Sequence, residues 1–420
     1  MTRFPAPDDR PPTGALVPFG YPVFRAIWTA NMLSSIGSVM QAVAAAWLMT
    51  GLTRLHLLVA LVQASSTIPI LLLGVVAGAI ADNHDRRVVM LIAQGFMLAV
   101  STVLSIMGYL GALTPASLLL LTLLVGLGTA LNGPAWQASV RLQVGRSALP
   151  QAVALNAIAM NLARSLGPAL GGVVISLWSV NLAFALNAIS YLAMIVVLVR
   201  WRPEVAPPDR VPMGEAILTG IRFCLSSGPV SRVLLRGLAF GFGAAGFQAL
   251  NPVVVRTLLH GNQIDYGLVV GCFGTGSIAS ALLVSAIRRR FGSETVVGGG
   301  TLIMAMALLL LSQSRSVPGA LIAAFIIGTG WVAAFTSLNV AMQLRSPEAI
   351  LARCLSIYQA TTFGGMALGA WAWGWLADRI GIAPALHVAV GWLLLTVILR
   401  FVAPMPGRAE GRINPEEKPA

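Results

Sequence analysis

Long stretches of this chain carry no formal charge. No Asp, Glu, Lys or Arg occurs from Leu55 to Ala81, and none from Val88 to Val140. Such runs exceed the ~20 apolar residues a helix needs to cross ~30 Å of hydrocarbon. They lack the alternation of apolar and polar positions that strands of a membrane barrel show. Lipid offers no partner to unpaired backbone groups, so each run is expected to be a helix. Twelve spans can be marked: 24–50, 55–81, 88–112, 115–138, 150–177, 180–201, 230–256, 264–288, 295–314, 317–341, 350–377 and 382–403. After the sixth, the polar, proline-rich stretch from Arg202 to Arg210 and an amphipathic piece from Met213 to Ser227 interrupt the series. The expected fold class is all-α integral membrane, twelve helices in two six-helix halves. The expected organisation is a cytoplasmic N-terminal segment (1–23), a first bundle (24–201), a cytoplasmic linker (202–229), a second bundle (230–403) and a cytoplasmic tail (404–420).

Composition agrees with this pattern. At 57% hydrophobic and 10% charged, the 420 residues are too apolar for a soluble globular domain. A net charge of +13 suits nucleic-acid binding in principle. The arginines, however, sit in short gaps between apolar runs rather than along one face, so no nucleic-acid partner is expected. With both termini cytoplasmic, the basic residues outside the spans fall on the cytoplasmic side except Arg54, Arg256, Arg315 and Arg379. Residues 1–20 lack the apolar core of a signal peptide, so the first span is expected to stay. Cys224, Cys272 and Cys354 are widely separated, and His56, His84, His260 and His387 show no ligand spacing. No metal site, cofactor or catalytic constellation is expected.

Two short motifs stand out. Gly78-Ala-Ile-Ala-Asp82-Asn-His-Asp85-Arg86-Arg87 gathers charge between the second and third spans. Asp82 ends a helix, where aligned peptide dipoles disfavour a carboxylate. It needs a partner, either Arg86 and Arg87 or the N-terminus of another helix. A faint internal repeat aligns this segment, from Ala79 to Arg87, with Ala286-Ile-Arg-Arg-Arg-Phe-Gly-Ser-Glu294. In the fifth span, Ala163-Arg164-Ser-Leu-Gly167-Pro168-Ala-Leu-Gly171-Gly172 combines a small-residue seam with a proline that kinks the helix. Gly241, Gly243 and Gly246 fit a dinucleotide fingerprint, but they lie inside the seventh span without a preceding strand, so close helix packing is expected.

The first motif resembles the loop signature of the major facilitator superfamily, with Asp85 where the general pattern has glycine. That acidic variant is similar to the branch of enterobactin exporters and transmembrane secretion effectors. Residues 167–172 resemble the Gly-Pro-x-x-Gly-Gly antiporter signature of exporters, with Ala163 where glycine is usual. Asn31, Ser34, Gly37 and Gln41, then Asn132 to Gln137, then Ala154 to Asn156, are similar to the same group. The resemblance implies a transporter, not an enzyme. It implies export of a small siderophore-like or drug-like molecule by alternating access with proton antiport, from a monomer in the bacterial inner membrane. It further implies a gate of Gly78, Asp82, Asp85, Arg86 and Arg87, with Asp82 bonding the start of the eleventh span near Ala349–Arg353. A nutrient importer or facilitator of the same fold is the alternative, against which the fifth-span motif argues. A non-transporting receptor is a third class, against which the repeated halves argue.

Polar residues on the spans are the candidate cavity lining: Asn31, Gln41, Asn132, Gln137, Asn161, Gln248, Asn251, Asn339, Tyr358 and Gln359. Each is costly against lipid and should face protein or water, contacting substrate or bridging helices. Arg164 stands apart. It lies ~15 residues, or ~22 Å of helix, into the fifth span, at a depth costing a cation ~2.5–3.5 kcal/mol. Asp82 and Asp378 sit at helix ends, so no mid-membrane carboxylate is available to pair with it. Its planar fork suits a carboxylate, phosphate or catecholate, unless Asn132, Asn161 or backbone carbonyls satisfy it as a structural pin. The same shortage leaves proton coupling without an evident carrier, His387 in the last span aside. Trp371, Trp373 and Trp375 are expected to be interfacial anchors.

Overall fold

A computed structural model describes residues 14, 16–203, 213–347, 350–402 and 404, without the side chains of 75, 79, 82, 146, 161, 165, 213–217, 352 and 402. The described chain is helical: α1 Pro22–Leu52, α2 His56–Asn83, α3 Arg86–Tyr109, α4 Pro115–Ser139, α5 Leu149–Leu177 and α6 Val180–Arg200. A short helix, α7 Met213–Ser226, follows. The second half holds α8 Gly228–Val253, α9 Gln263–Gln313, α10 Val317–Arg345, α11 Leu351–Ile380 and α12 Ile382–Val402.

Local chemistry explains the ends. Proline at the first or second position opens α1, α4, α5, α8 and α10, where its missing N–H is no loss. Thr114 with Ser117, and Asn262 with Asp265, form reciprocal caps on α4 and α9. Ser179 accepts from Leu182 N to cap α6. The eighth and ninth predicted spans join in α9, whose 51 residues would run ~76 Å as one straight rod. Gly292 breaks it at φ +82°, a left-handed value that glycine reaches without a Cβ clash, leaving limbs 263–291 and 293–313. Ten helices among the described residues are long and apolar enough to span a bilayer. Counting both limbs of α9 and adding the 30-residue α11 gives the twelve expected.

The two halves meet mainly where α2 packs on α11 and α5 on α9. We call the end that carries residues 84–85 and α7 the linker end, and the other the far end. At the far end the approach is close enough for backbones to touch. A Cβ on Gly172 of α5 would sit 2.8 Å from Gln263 O and 3.0 Å from Gly267 Cα of α9. One on Gly374 of α11 would sit 2.6 Å from Ala60 Cβ and 2.9 Å from Leu57 Cα of α2. Trp47 of α1 stacks on Tyr266 of α9 at 5.7 Å, and the Arg256 guanidinium lies 5.5 Å from the Trp47 ring centre.

The apolar core has the same polarity. One continuous cluster joins the second half to the far-end residues of the first, including Val43, Trp47, Val59, Leu104, Leu118 and Phe184. At the linker end the first half keeps separate clusters, one around Met90, Trp136 and Leu198 and one around Phe24, Val144 and Leu155. Gly241, Gly243 and Gly246 are packing glycines of α8, set against Thr362 O, Leu393 and Ala389 respectively. The tryptophan expectation needs correction. Trp371 and Trp375 are exposed, but Trp373 is 4% exposed and donates from Nε1 to Phe242 O at 2.8 Å, so it pins α11 to α8.

Gly172→Leu cannot be accommodated by side-chain movement, because it meets the α9 backbone. We expect it to part the far ends and to cut transport about tenfold or more, the population shift that ~1.4 kcal/mol produces. Spin labels at positions 55 and 260 should read a longer distance than in the unsubstituted chain. An unchanged distance would show that the seam is not closed in this way.

Candidate functional site

Arg164 is the centre of the candidate site. Solvent reaches its side chain although protein surrounds it on all sides. Among the described residues it makes no hydrogen bond or ion pair. The pattern along α5 explains the opening. Val153, Ala157, Met160 and Arg164 are exposed at spacings of four, three and four, which places them on one face. Further along that face Gly167, Gly171 and Ile175 are buried. The lipid side of the far half, Leu166, Leu170, Val173 and Leu177, lies opposite. The α5 face is therefore open from the linker end as far as Arg164 and closed beyond it.

The fifth-span motif divides between two seams. Gly167 and Gly171 face α1, where added Cβ atoms would stand 2.8 Å from Val39 Cβ and 3.2 Å from Met40 Cα. Pro168 and Gly172 face α9 in the other half: a Cβ on Gly267 would lie 2.7 Å from Pro168 O and 2.9 Å from Gly172 Cα. One helix thus serves as both a bundle seam and an inter-half seam.

The remaining polar candidates are scattered. Gln41 is buried, and its Oε1 accepts from Ser101 Oγ at 2.9 Å and Asn187 Nδ2 at 2.7 Å. Tyr191 and Ser38 extend that network across α1, α3 and α6. Asn132 accepts from Gln94 at 3.4 Å. Gln137 is exposed near the linker end, and Asn31, Gln248 and Gln359 are partly exposed. Asn251 is 2% exposed, and its Oδ1 has no partner among the described residues. Asn339 accepts from Gln343 at 2.7 Å. Tyr358 is fully buried and donates to Phe335 O at 3.2 Å. The Asn161 side chain lies outside the described residues.

At the linker end, Asp85 caps α3 by accepting from Arg87 N at 2.9 Å. Arg86 donates to Ala138 O at the end of α4, and Arg87 to Leu198 O and Val199 O at the end of α6. Both arginines thus meet carbonyls at the negative ends of helices. The Asp82 side chain, and residues 348–349 in its expected partner region, lie outside the described residues. Gly78 does approach α11, where its Cβ would stand 3.9 Å from Ser356 Oγ. Cys224 of α7 and Cys354 of α11 share a hydrogen bond, which with burial raises the Cys224 thiol pKa and ties α7 to α11.

Two long-range pairings have no local signal of the partner in the sequence, Arg236 with Glu294 and Asp378 with the start of α2. Arg236 is 4% exposed and donates to both oxygens of Glu294 at 2.6 and 2.7 Å. Asp378 ends α11 and caps α2: its oxygens accept from His56 N at 2.7 Å and Leu57 N at 3.0 Å. His56 Nδ1 stands 3.0 Å from the same carboxylate. The helix-end position of Asp378 was the only signal, and its partners are more than 300 residues away.

Twelve spans in two halves, a glycine seam between them and a polar interior open at one end define a membrane transporter of the major facilitator type. The model of the transmembrane secretion effector family matches residues 13–418, and the chain belongs to that family. Among relatives, an enterobactin exporter of Shigella boydii is 26% identical over 400 residues, covering 91% of this chain and 92% of that protein. A staphyloferrin A transporter of Staphylococcus aureus is 25% identical over 248 residues, covering 58% of this chain and 62% of that relative. Solved structures share the fold. A nucleoside transporter superposes with a TM-score of 0.77 at 11% identity, covering 91% of this chain and 99% of that one. A bacterial homologue of the human lysosomal transporter Spinster gives 0.76 at 13%, covering 95% and 99%.

Asp378→Asn removes the charge at the start of α2 and an acceptor for its backbone. A helix-terminal charge is worth ~0.3–1 kcal/mol and a hydrogen bond to a charged group ~1.5–3. The far end should open more readily, reporting a longer 55-to-260 distance, with Asp378→Glu intermediate. Identical distances for all three proteins would remove Asp378 from the gate.

Proposed function

We propose that this transporter exports a small anionic molecule from the bacterial cytoplasm by alternating access. Both termini and α7 lie on the cytoplasmic side of the inner membrane, and export is coupled to proton entry. The observation that carries the reading is Arg164: a mid-span guanidinium open to water from the linker end, with the seam closed beyond it. A cation at that depth is costly, and a carboxylate, phosphate or catecholate offers a bidentate partner that Arg164 does not find among the described residues. The side assignment rests on the arginines crowding the linker end, which follow the positive-inside pattern. The exporter relatives favour this direction of transport. Proton coupling draws support from the resemblance of Gly167, Pro168, Gly171 and Gly172 to the antiporter signature of exporters. The chain works as a monomer, and lipid is its other partner.

Everted membrane vesicles give the test, with anionic and neutral candidates of similar size supplied in the outer medium. Arg164→Gln should slow uptake of the anions about tenfold or more, as expected for loss of one charged hydrogen-bonding group. Neutral compounds should be little affected, and Arg164→Lys should fall between. If Arg164→Gln carries anions as well as the unsubstituted chain does, the anionic reading fails. Collapsing the proton gradient in the same vesicles should stop uphill uptake. Asp82→Asn should slow transport at normal expression, and an unchanged rate would refute its role as a gate.

A further inference from the structure

A cavity of about 210 Å³ lies at the far end, outside the closed seam. Its lining includes Thr50, Thr53, Arg54, His56, Arg256 and Thr257, drawn from the end of α1 and the turn after it, the start of α2, and the π-helical turn Val254–Leu258 that follows α8. Two guanidiniums, an imidazole and three hydroxyls therefore converge on one space between the halves. Arg256 is held in place, donating to Thr50 Oγ1 at 2.8 Å while lying over Trp47. Arg54 is exposed and has no hydrogen bond or ion pair among the described residues.

Nearby negative charge is already engaged. Among the described residues, the acidic side chains at the far end are Asp265 and Asp378. Asp265 turns back to accept from Asn262 N at 2.8 Å. Asp378 spends both oxygens on the α2 backbone behind His56. The cavity is left with the positive charge of two guanidiniums and the Thr53 hydroxyl, since Thr50 and Thr257 donate theirs to Trp47 O and Val253 O. Paired guanidiniums suit a tetrahedral or planar oxyanion. We infer that it is a binding site for a phosphate- or carboxylate-bearing anion, separate from Arg164. The occupant is either a free anion from the far-end solution or the phosphate of a lipid headgroup. Arg164 lies on the other side of the seam, so the two sites can fail independently.

The probe is radiolabelled inorganic phosphate, added to the full chain in nanodiscs of zwitterionic phosphatidylcholine. Binding should saturate, and Arg54→Gln should weaken it about tenfold, as for loss of one charged donor. Arg54 supports no other described contact, so this variant should fold normally, which its elution and thermal midpoint check. Arg256→Gln should weaken binding as well, and Arg164→Gln should leave it unchanged. Nanodiscs of anionic phosphatidylglycerol separate the sources: retained binding assigns the site to a free anion, and competitive loss assigns it to lipid phosphate. Absence of saturable binding overturns the inference. So does binding that survives Arg54→Gln but is lost in Arg164→Gln.

Discussion

Backbone contact between α5 and α9 at Gly172 and Gly267 is the constraint on which the rest of the arrangement depends. Two helices approach this closely only where neither presents a side chain. Once they touch, the far ends of the halves are held at a fixed separation, and other contacts can form across it. Trp47 reaches Tyr266, Arg256 reaches Thr50, and the Asp378 carboxylate reaches the start of α2. The continuous apolar core at that end is the result. Two stiff bundles that converge at one end diverge at the other, and the exposed α5 face leading to Arg164 is the divergence seen from inside.

The halves share a repeat but use opposite charges at its loop. Arg87 and Glu294 occupy equivalent positions in the aligned segments. Arg87 reaches the terminal carbonyls of α6 and satisfies a helix dipole. Glu294 accepts from a buried arginine of α8 and so balances a formal charge. Each loop is drawn into its own bundle, by different chemistry. The first half can therefore keep Asp82 in its loop, while the second carries arginine at the matching place.

The fold was legible because the bilayer restricts the choices. Charge-free runs of membrane-spanning length have only one practical conformation, and only the turn at Gly292 was blurred, where a single left-handed glycine replaces a loop. The site was legible in part. Arg164 could be found because a mid-span cation has few explanations. Gln41 was marked by the same cost argument, yet its partner Asn187 is 146 residues away, and no local spacing shows that the two meet. Trp373 was misjudged because Trp371 and Trp375 share its neighbourhood in sequence but face the outside of the bundle. The pairing of Asp378 with His56 depends on which helices of the two halves adjoin, and that is a property of the packing alone.

On the proposed function, alternating access also limits how firmly the far end can be held. Two states exchange usefully only if they differ by a few kcal/mol. A backbone seam, one capping carboxylate and one cation–aromatic contact are each modest, so their sum can be reversed. Arg164 adds a term that depends on load. With no substrate bound, closing the linker end strips water from a guanidinium without a partner among the described residues, and the cost favours the open arrangement. An anion seated on Arg164 replaces that water with a charged hydrogen-bond partner, and the same closure becomes accessible. On the proposed function, then, the residue that recognises the substrate is also the one that prevents the empty carrier from cycling.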